Sequence, residues 1–598
     1  MTVGGERIEA TNGRPVRTAT RLLSASACVA LVAVPVAFAP WLYDDFTLVK
    51  QSLLLVAGAL LLTALALRGR LPPLSRLEGG LLAVWALGLF LSTVAALDWR
   101  GSLLGLYQYR QGALTQVVFV LLFLAARALA QEGAHRAPLR AGMAGLAGAA
   151  TYAGLQAFDA DPFGWWLDTG DRAIGTIGNA NELAAYGVIG LALASVWAGR
   201  GSAFAAAFVA AAGVFLVTNA ASRAGTLALG IAFVALVALT LWQRTGPRQA
   251  ATMLAPWAAG LALGFGLSLL SGGVGRSEAR VDGGGTPSDQ AASATRIAYW
   301  EGAVHSIAAS PFLGAGADGL ALAFPRHRPG DLGGGFRSDD LIVKSAHSWP
   351  LDLAANFGIP AAVSVLGFVG VVLARGLDAA RRGAAPEIVP VVAACVGYLA
   401  LTCLDPISLA PHALFWFVLG TLPATATTVA LRWRPRWAIA VAAPVAAAAC
   451  VLAVGLPVAD SFADDGWDQY AAGDFAAAGR AYDRAWRLMP FEPDYQRRAG
   501  LAWLADGAVS GSRDSLLRAE EGFTSLEDHF EPTTGSSFAL ATTLIGRGAP
   551  ASEIDAAVAR GERLDPKSEA VAAYAEALRA GGVLRYSEID RWVFVEPR

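Results

Sequence analysis

Long stretches of the chain are apolar with hardly a charge, and each is about as long as a membrane-spanning helix. A hydrocarbon core about 30 Å thick needs roughly 20 apolar residues in one helix. Strands of a membrane barrel would instead alternate apolar and polar residues over about ten positions. The pattern therefore predicts an all-α, polytopic membrane bundle of about 12–13 transmembrane helices. Thirteen apolar windows carry this prediction: 22–43, 48–67, 79–97, 113–130, 139–158, 181–199, 203–219, 224–242, 252–271, 349–374, 387–404, 411–431 and 437–458.

The composition agrees with a membrane protein. Of the 598 residues, 55% are hydrophobic and only 16% are charged, which is rare for a soluble globular chain of this length. The net charge of −2 gives no reason to expect nucleic acid as a partner. All four cysteines lie within or beside apolar windows, so they indicate neither a disulfide framework nor a metal site.

The arginines predict how the bundle is oriented. Basic residues collect in cytoplasmic loops, and the tail at residues 1–21 is basic, so the N-terminus should be cytoplasmic. Nine windows then place the polar loop 272–346 outside. Thirteen windows would place the C-terminal region outside as well, whereas twelve would leave it in the cytoplasm. The predicted cytoplasmic loops carry Arg68, Arg70, Arg76, Arg127, Arg136, Arg140, Arg200, Arg244, Arg248, Arg381, Arg382, Arg432, Arg434 and Arg436.

After the predicted membrane domain at residues 22–458, the character of the sequence changes. "GWDQYAAGDFAAAGRAYDRAWRLMP" (466–490) places small and aromatic residues at the spacing of a tetratricopeptide helix pair, and "RGERLDP" (560–566) resembles the end of another. Because one such repeat cannot bury its own apolar face, several should stack. We predict a separate helical-repeat domain over 459–598 that recruits a protein partner or an acceptor. An unrelated helical bundle is the alternative.

Two short polar stretches on the predicted outer side contain candidate functional residues. "DRAIGTIGNANELAAYG" (171–187) carries Asn179 and Asn181, which either bind substrate or cap the following helix. "NAASRAG" (219–225) places Arg223 where a helix begins at the outer surface. Basic residues usually collect on the cytoplasmic side of the membrane. An arginine on the outer side therefore either contacts lipid phosphates or has a function.

The long outer loop ends close to a histidine. Its Gly-rich beginning has the composition of a disordered segment, and "ATRIAYWEGAVHSIAASP" then predicts an amphipathic helix with Arg296 near its start. His347 follows in "KSAHSWPLDLAANFGIP" (344–360), at the lip of the next apolar window. Loops of this length are usually functional or disordered, and this one has features of both.

Two other outer loops add charged candidates. Arg100 and Arg110 lie in "LDWRGSLLGLYQYRQGAL" (97–114), where they can guide a glycan or a lipid phosphate. The competing interpretation is that the aromatic residues of this loop only anchor it at the membrane interface. Asp405 lies in "CLDPISLAPHALFW" (403–416), where it can orient an arginine of the site.

Four stretches, in this order, resemble the O-antigen ligase and O-antigen polymerase family of bacterial membrane glycosyltransferases: "GTIGNANELA", "SRAG", "RIAYWEGAVHSIAASPFLGAGADG" and "AHSWPLDLAANFGI". The resemblance covers roughly residues 80–430. It implies a polyprenyl-pyrophosphate glycan as donor and a lipid, polymer or protein as acceptor, at the outer face of the bacterial cytoplasmic membrane. The family's essential arginines and histidine fall on Arg223, Arg296 and His347. Ser348 and Pro350 depart from the family pattern, which leaves acceptor specificity open.

The implied residues suit the implied chemistry. Arginine binds phosphate oxygens through two parallel hydrogen bonds and keeps its charge, so Arg223 and Arg296 would hold the donor pyrophosphate. Histidine can take the proton of an acceptor hydroxyl, which gives His347 the role of general base. The sequence shows no Asp-x-Asp cluster beside these residues. We therefore expect a transfer that needs no metal ion and no other cofactor. A direct displacement would invert the anomeric carbon.

Other classes of function remain as alternatives. A polymerase of the same family would use a second lipid-linked glycan as acceptor, whereas a ligase would use another lipid, a protein or a wall polymer. Transporters usually show two related halves with broken helices at the membrane centre. A transporter of lipid-linked glycans is less favoured, because this sequence shows no such internal symmetry. A structural receptor would not need the arginines and the histidine.

Overall fold

The computed structural model describes residues 6–107, 109–165, 172–197, 203–243, 246–282, 287–330, 343–383, 387–424 and 432–583. Within these ranges every regular element is a helix, apart from an isolated β-bridge between Arg70 and Arg432. The predicted all-α class is confirmed.

The described residues of the first half of the chain form ten helices, most of them apolar. Short 3₁₀ turns at Gly175–Ile177 and Leu191–Trp197 flank the seventh helix. The ten are α1 (Glu6–Val36), α2 (Thr47–Arg68), α3 (Arg76–Val94), α4 (Trp99–Leu104), α5 (Ala113–Gln131), α6 (Arg136–Ala157), α7 (Ala180–Gly190), α8 (Ala203–Asn219), α9 (Arg223–Trp242) and α10 (Pro247–Leu270).

The second half of the membrane domain begins with the long polar loop, which is itself largely helical, and then returns to the bundle. Its helices are α11 (Gly273–Asp282), α12 (Pro287–Ala309), α13 (Leu320–His327), α14 (Trp349–Phe357), α15 (Ile359–Arg381), α16 (Ile388–Thr402), α17 (Leu409–Gly420) and α18 (Pro435–Ala471).

The described parts of all thirteen predicted windows fall mainly on helices, but not all of these helices are full-length spans. Residues 198–199 and 425–431 of two windows lie outside the described residues. Among the described residues, eight helices are long and apolar enough to cross a membrane: α1, α2, α3, α5, α9, α10, α15 and α18. Four shorter apolar helices occupy further windows, at Ala180–Ala194, Ala203–Asn219, Ile388–Thr402 and Leu409–Gly420. The remaining window, 139–158, lies on α6, which is rich in glycine and alanine. The chain is a polytopic membrane protein.

Two local predictions are corrected by the structure. The Gly-rich start of the outer loop, expected to be disordered, forms α11 and the first turns of α12 on either side of residues 283–286, which lie outside the described residues. The window 349–374 is two helices, because Gly358 has a φ of +80° and turns the chain between α14 and α15. A side chain at Gly358 would also meet the backbone oxygen of Phe312 at 2.2 Å.

The C-terminal domain follows directly from α18, the last long helix of the membrane domain. Residue 459, the predicted boundary, lies inside α18, where the helix continues to Ala471 without a break. Consecutive helices then pack on one another, and the rings of Trp503 and Phe538 lie against Gly479 and Gly561 of neighbouring helices. The tetratricopeptide assignment stays a prediction. The six helices are α19 (Phe475–Leu488), α20 (Pro493–Ser510), α21 (Arg513–His529), α22 (Thr534–Arg547), α23 (Ala551–Leu564) and α24 (Glu569–Arg579).

This domain packs against the same end of the bundle as the long polar loop. Asp460, which is fully buried in α18, accepts hydrogen bonds from the backbone N–H of Asp44 (2.8 Å) and the hydroxyls of Tyr107 and Tyr495 (2.9 Å for Tyr495). The guanidinium of Arg498 lies 4.4 Å from the centre of the Tyr43 ring. The arrangement agrees with the thirteen-helix alternative, which places the C-terminal domain and the loop on one side.

Candidate active site

Three of the predicted site residues meet at one end of the bundle. Asp405 follows α16, and its side chain is only 2% exposed. Its Oδ1 lies 3.3 Å from Nη2 of Arg296 on α12 and 3.9 Å from Nδ1 of His347. The side chains of Arg296 and His347 remain 43% and 35% exposed, so a substrate can reach both. The buried Asp405 carboxylate thus keeps the permanently charged guanidinium of Arg296 near the titratable imidazole of His347.

The backbone around His347 is held in an unusual conformation. His347 has a φ of +52°, a region that residues other than glycine rarely adopt and that often marks functional sites. Its N–H donates to Ser345 Oγ (2.9 Å). Asp352, in the first turn of α14, accepts from Ser345 Oγ and from the Ala346 N–H, both at 2.7 Å. These contacts fix the segment before the histidine.

Asp352 was not predicted as a site residue. Burial raises the pKa of its carboxyl to about 6, against the lowering effect of the hydrogen bonds from Ser345 and Ala346 and of nearby His347. An acidic residue in the first turn of a helix is a common stabilising feature, so Asp352 does not stand out in the sequence. Its role is to shape the turn that presents His347.

An aromatic residue covers one face of the histidine. Tyr299 lies one helical turn after Arg296 on α12, and its ring stacks on His347 with 5.7 Å between ring centres and 26° between the planes. Burial raises the pKa of the Tyr299 hydroxyl, which therefore stays protonated. The spacing of three residues puts Arg296 and Tyr299 on one helix face.

Arg223 is the first residue of α9, at the position predicted from "SRAG". Ser222 caps the helix, and its Oγ accepts from the Gly225 N–H at 3.2 Å. The Arg223 side chain lies at the end of an open, mostly apolar groove that runs along α9. The groove is lined by Thr226, Leu227, Gly230, Ile231, Val234 and Ala235.

Two further arginines support the turn before Arg223, and neither was predicted. Arg172 donates from Nε to the Ala220 backbone oxygen (2.8 Å), and Arg276 donates from Nη2 to Asn219 Oδ1 (3.1 Å). Cationic side chains therefore surround the start of α9 on two sides. These contacts could not be predicted, because Arg172 and Arg276 lie about 50 residues from Arg223 along the sequence and reach the turn before it only through the packing of the helices.

The two asparagines have structural partners. Asn179 caps α7, and its Oδ1 accepts from the N–H groups of Asn181 (2.9 Å) and Glu182 (3.3 Å). Asn181 Oδ1 accepts from Arg172 Nη2 at 2.6 Å. The structure favours the capping alternative for Asn179 and a supporting role for Asn181 over direct substrate binding.

Arg100 and Arg110, predicted as possible substrate-binding residues, contact the C-terminal domain in the structure. Arg110 is 0% exposed, and its Nη1 lies 2.6 Å from Glu492 Oε2. Arg100 donates to the backbone oxygen of His529 and lies over the Phe530 ring, 5.1 Å from its centre. The sequence could not indicate these contacts, because the partners lie 382 and 429 residues further along the chain.

A lysine near the site was also missed. Lys50 lies in the first turn of α2, is buried, and donates from Nζ to the backbone oxygens of Ala37 (2.8 Å) and Phe46 (2.9 Å). It lines a small polar pocket with Tyr109, Glu182 and Ser408. A charged residue at the edge of an apolar window is rare enough to have been a usable signal.

The apolar helices define a polytopic membrane protein, and a cluster of polar side chains lies at one end of its helical bundle. Residues 205–366 match the family described as O-antigen ligase, and the match includes Arg223, Arg296 and His347. This segment of the chain is similar to the O-antigen ligase family, and the similarity supports a membrane glycosyltransferase of the ligase or polymerase type. No curated protein matches the chain.

Proposed function

We propose that this protein is a membrane glycosyltransferase that moves a glycan from a polyprenyl-pyrophosphate donor to an acceptor hydroxyl. The observation that carries the proposal is the buried Asp405, which pairs with Arg296 and lies 3.9 Å from Nδ1 of His347. Arg296 and His347 both belong to the segment that matches the O-antigen ligase family. The arrangement combines a cation for a phosphate leaving group with a base for a hydroxyl nucleophile, which are the two groups that this transfer needs.

The proposed step is a direct displacement. The acceptor oxygen forms a bond to the anomeric carbon, the bond from that carbon to the pyrophosphate oxygen breaks, and the acceptor's proton passes to His347. Because Nδ1 of His347 faces Asp405, Nε2 is the nitrogen that would take this proton. Asp405 would stabilise the imidazolium that results. Lipid pyrophosphate leaves with both bonding electrons, and the anomeric configuration inverts.

The two arginines would stabilise the charge that develops on the leaving group. Each well-placed donor of this kind typically contributes about 2.7–4 kcal/mol to the transition state. Arg296 stands beside the proposed base, and Arg223 stands at the end of the groove along α9. A polyprenyl chain in that groove would bring its phosphates to Arg223, which supports a lipid-linked donor over a soluble nucleotide sugar.

The proposed site faces away from the cytoplasm in the bacterial inner membrane. The support is the opposite end of the bundle, where arginines of the predicted cytoplasmic loops pair with acids, as in Arg68–Glu132 (2.8 Å) and Arg136–Glu387 (3.3 Å). In a variant whose native cysteines are replaced by serine, Glu301→Cys on α12 should react with an impermeant maleimide in intact cells. Arg382→Cys, at the other end, should react only after lysis. The reverse pattern would overturn the orientation.

The reaction itself can be tested directly. Purified protein is incubated with a defined polyprenyl-pyrophosphate oligosaccharide, alone and with candidate lipid, polymer or protein acceptors. A single addition to an acceptor supports a ligase, and a ladder formed from donor alone supports the alternative, a polymerase of the same family. Transport of the intact lipid-linked glycan across a vesicle membrane, without transfer, would contradict the proposal.

Transfer should be independent of metal ions. Among the described residues, no group of three or more histidine, cysteine or acidic side chains could hold a metal ion. Arginine would supply the positive charge that a metal supplies in other phosphate sites. We expect the transfer rate to be unchanged by excess EDTA. A loss that magnesium or manganese restores would show that a metal takes part.

Asp405 should act as a positioning residue. Asp405→Asn keeps the shape of the side chain but removes the charge that pairs with Arg296 and lies close to the His347 ring. Hydrogen bonds to charged groups contribute about 1.5–3 kcal/mol, so turnover should fall by about ten- to a hundredfold. Donor binding should change less, because Arg223 does not depend on this carboxylate in the proposal. Equal losses in turnover and in donor affinity would point to a general disturbance of the site.

A further inference from the structure

We propose that the C-terminal helical domain is a fixed part of the transfer site, and that a buried pair between Arg328 and Asp565 positions the helix against which the His347 segment is packed. Its kinetic consequence rests on the proposed function, whereas its structural consequence does not. A domain expected to be a separate module would then control the geometry of the reaction without touching the substrate.

The pair joins the two domains directly. Arg328 follows α13 in the long outer loop, and Asp565 follows α23 in the C-terminal domain. Arg328 Nη2 lies 3.0 Å from Asp565 Oδ2, and each side chain is only 2% exposed. A second pair on the same helix, Arg326 with Glu531, is more exposed. Removing one partner of a buried ion pair is far more costly than disturbing an exposed one, so Arg328–Asp565 is the contact that fixes α13.

From Arg328, aromatic contacts lead to the proposed base. The buried Phe324 of α13 meets Tyr299 edge to face, with 6.1 Å between ring centres and 90° between the planes. Tyr299 in turn stacks on His347. Phe324 lies so close to α12 that a side chain at Gly302 would meet its ring at 2.3 Å. A shift of α13 therefore has to move the Tyr299 ring, and this changes the surface on which the His347 ring is stacked.

The other end of α13 is also tied to the C-terminal domain. Asp318, just before α13, accepts from the N–H groups of Leu106 (3.1 Å) and Gln111 (2.8 Å). Between those two residues lies Arg110, whose buried partner is Glu492. Both ends of α13 are thus connected to the C-terminal domain through buried charged side chains.

The helix α13 needs such support because it is weak by itself. It has only eight residues, from Leu320 to His327, and Pro325 lies inside it. Isolated helices shorter than about 12–15 residues are marginal in water, and a proline in a helix interior removes a hydrogen bond. The position of α13 must come from its tertiary contacts, and its charged contacts are with the C-terminal domain.

The test compares two carboxylate-to-amide changes in the full-length protein. Asp565→Asn should lower the turnover number by about 3- to 30-fold with little change in donor KM. Asp514→Asn is the matched control, since its exposed pair with Arg518 lies within α21. It should leave both constants unchanged. The reciprocal swap, Arg328→Asp with Asp565→Arg, should recover part of the loss, which a merely misfolded variant would not do.

Hydrogen exchange gives a readout that does not depend on activity. Asp565→Asn should speed exchange at the Ala346 and His347 amides, which are hydrogen-bonded in the wild type, while α19 and α20 stay protected. If these amides exchange at the wild-type rate, or if the swap recovers nothing, the inference is wrong. If the wild type shows no transfer but exchange changes as expected, the proposed function fails and the positioning inference stands.

Discussion

His347→Ala is expected to lower the rate of glycan transfer by about 10²–10⁴-fold while donor binding is retained. A general base typically contributes this much to rate, and His347 carries no phosphate contact in the proposed mechanism. Its ring is held against Asp405 and Tyr299 and stays partly exposed, so its removal should leave the rest of the site in place.

Substitution of the arginines should change donor binding as well as the transfer rate. Arg223→Lys keeps the charge but loses the planar pair of donors, so it should weaken donor affinity as well as rate. Arg296→Ala should be more severe, because it also leaves Asp405 buried without its cation. A merely structural effect would not separate the histidine from the arginines in this manner.

The measurement is donor binding beside single-turnover transfer for each variant, after the amount of protein in the membrane has been matched. Asp514→Asn, far from the site, serves as the control. The assignment of roles fails if His347→Ala transfers at the wild-type rate. It also fails if His347→Ala loses donor binding while Arg223→Lys does not.

Much of the fold could be read from hydrophobic periodicity, because a membrane imposes a simple rule on composition. For this reason the described parts of all thirteen apolar windows are mainly helical. The number of full spans could not be read in the same way. The window 181–199 changes from α7 to a 3₁₀ helix at Leu191, and the window 349–374 bends at Gly358, because local packing decides such breaks.

The candidate site was predictable where one segment carried its own signal. His347, Arg296 and Arg223 each stood out as polar residues at the edge of an apolar or amphipathic helix. Asp352, Arg172 and Arg276 did not, because their meaning comes from contacts between distant segments. Arg110 is a further example: its predicted outer location suggested a role in substrate binding, whereas its ion-pair partner Glu492 lies 382 residues further along the chain.

Glu492→Gln should destabilise the folded protein by about 3–5 kcal/mol. Glu492 precedes α20 in the C-terminal domain, and its side chain is 5% exposed, whereas that of Arg110 is 0% exposed. Burial raises the pKa of the Glu492 carboxyl and Arg110 lowers it, which shows how closely the two depend on each other. Removing only the negative charge leaves a buried guanidinium uncompensated, and breaking a buried pair in this way typically costs that much.

The measurement is unfolding of the full-length protein in detergent, by denaturant or heat, with Asp514→Asn as the matched control. Asp514 and Arg518 are exposed, so that change should stay within about 0.5 kcal/mol. Replacing both buried partners, Arg110→Met with Glu492→Leu, should recover most of the loss, because no unpaired charge then remains. If Glu492→Gln costs no more than Asp514→Asn, water reaches the interface in solution. The C-terminal domain would then be a loosely attached module, as its sequence first suggested.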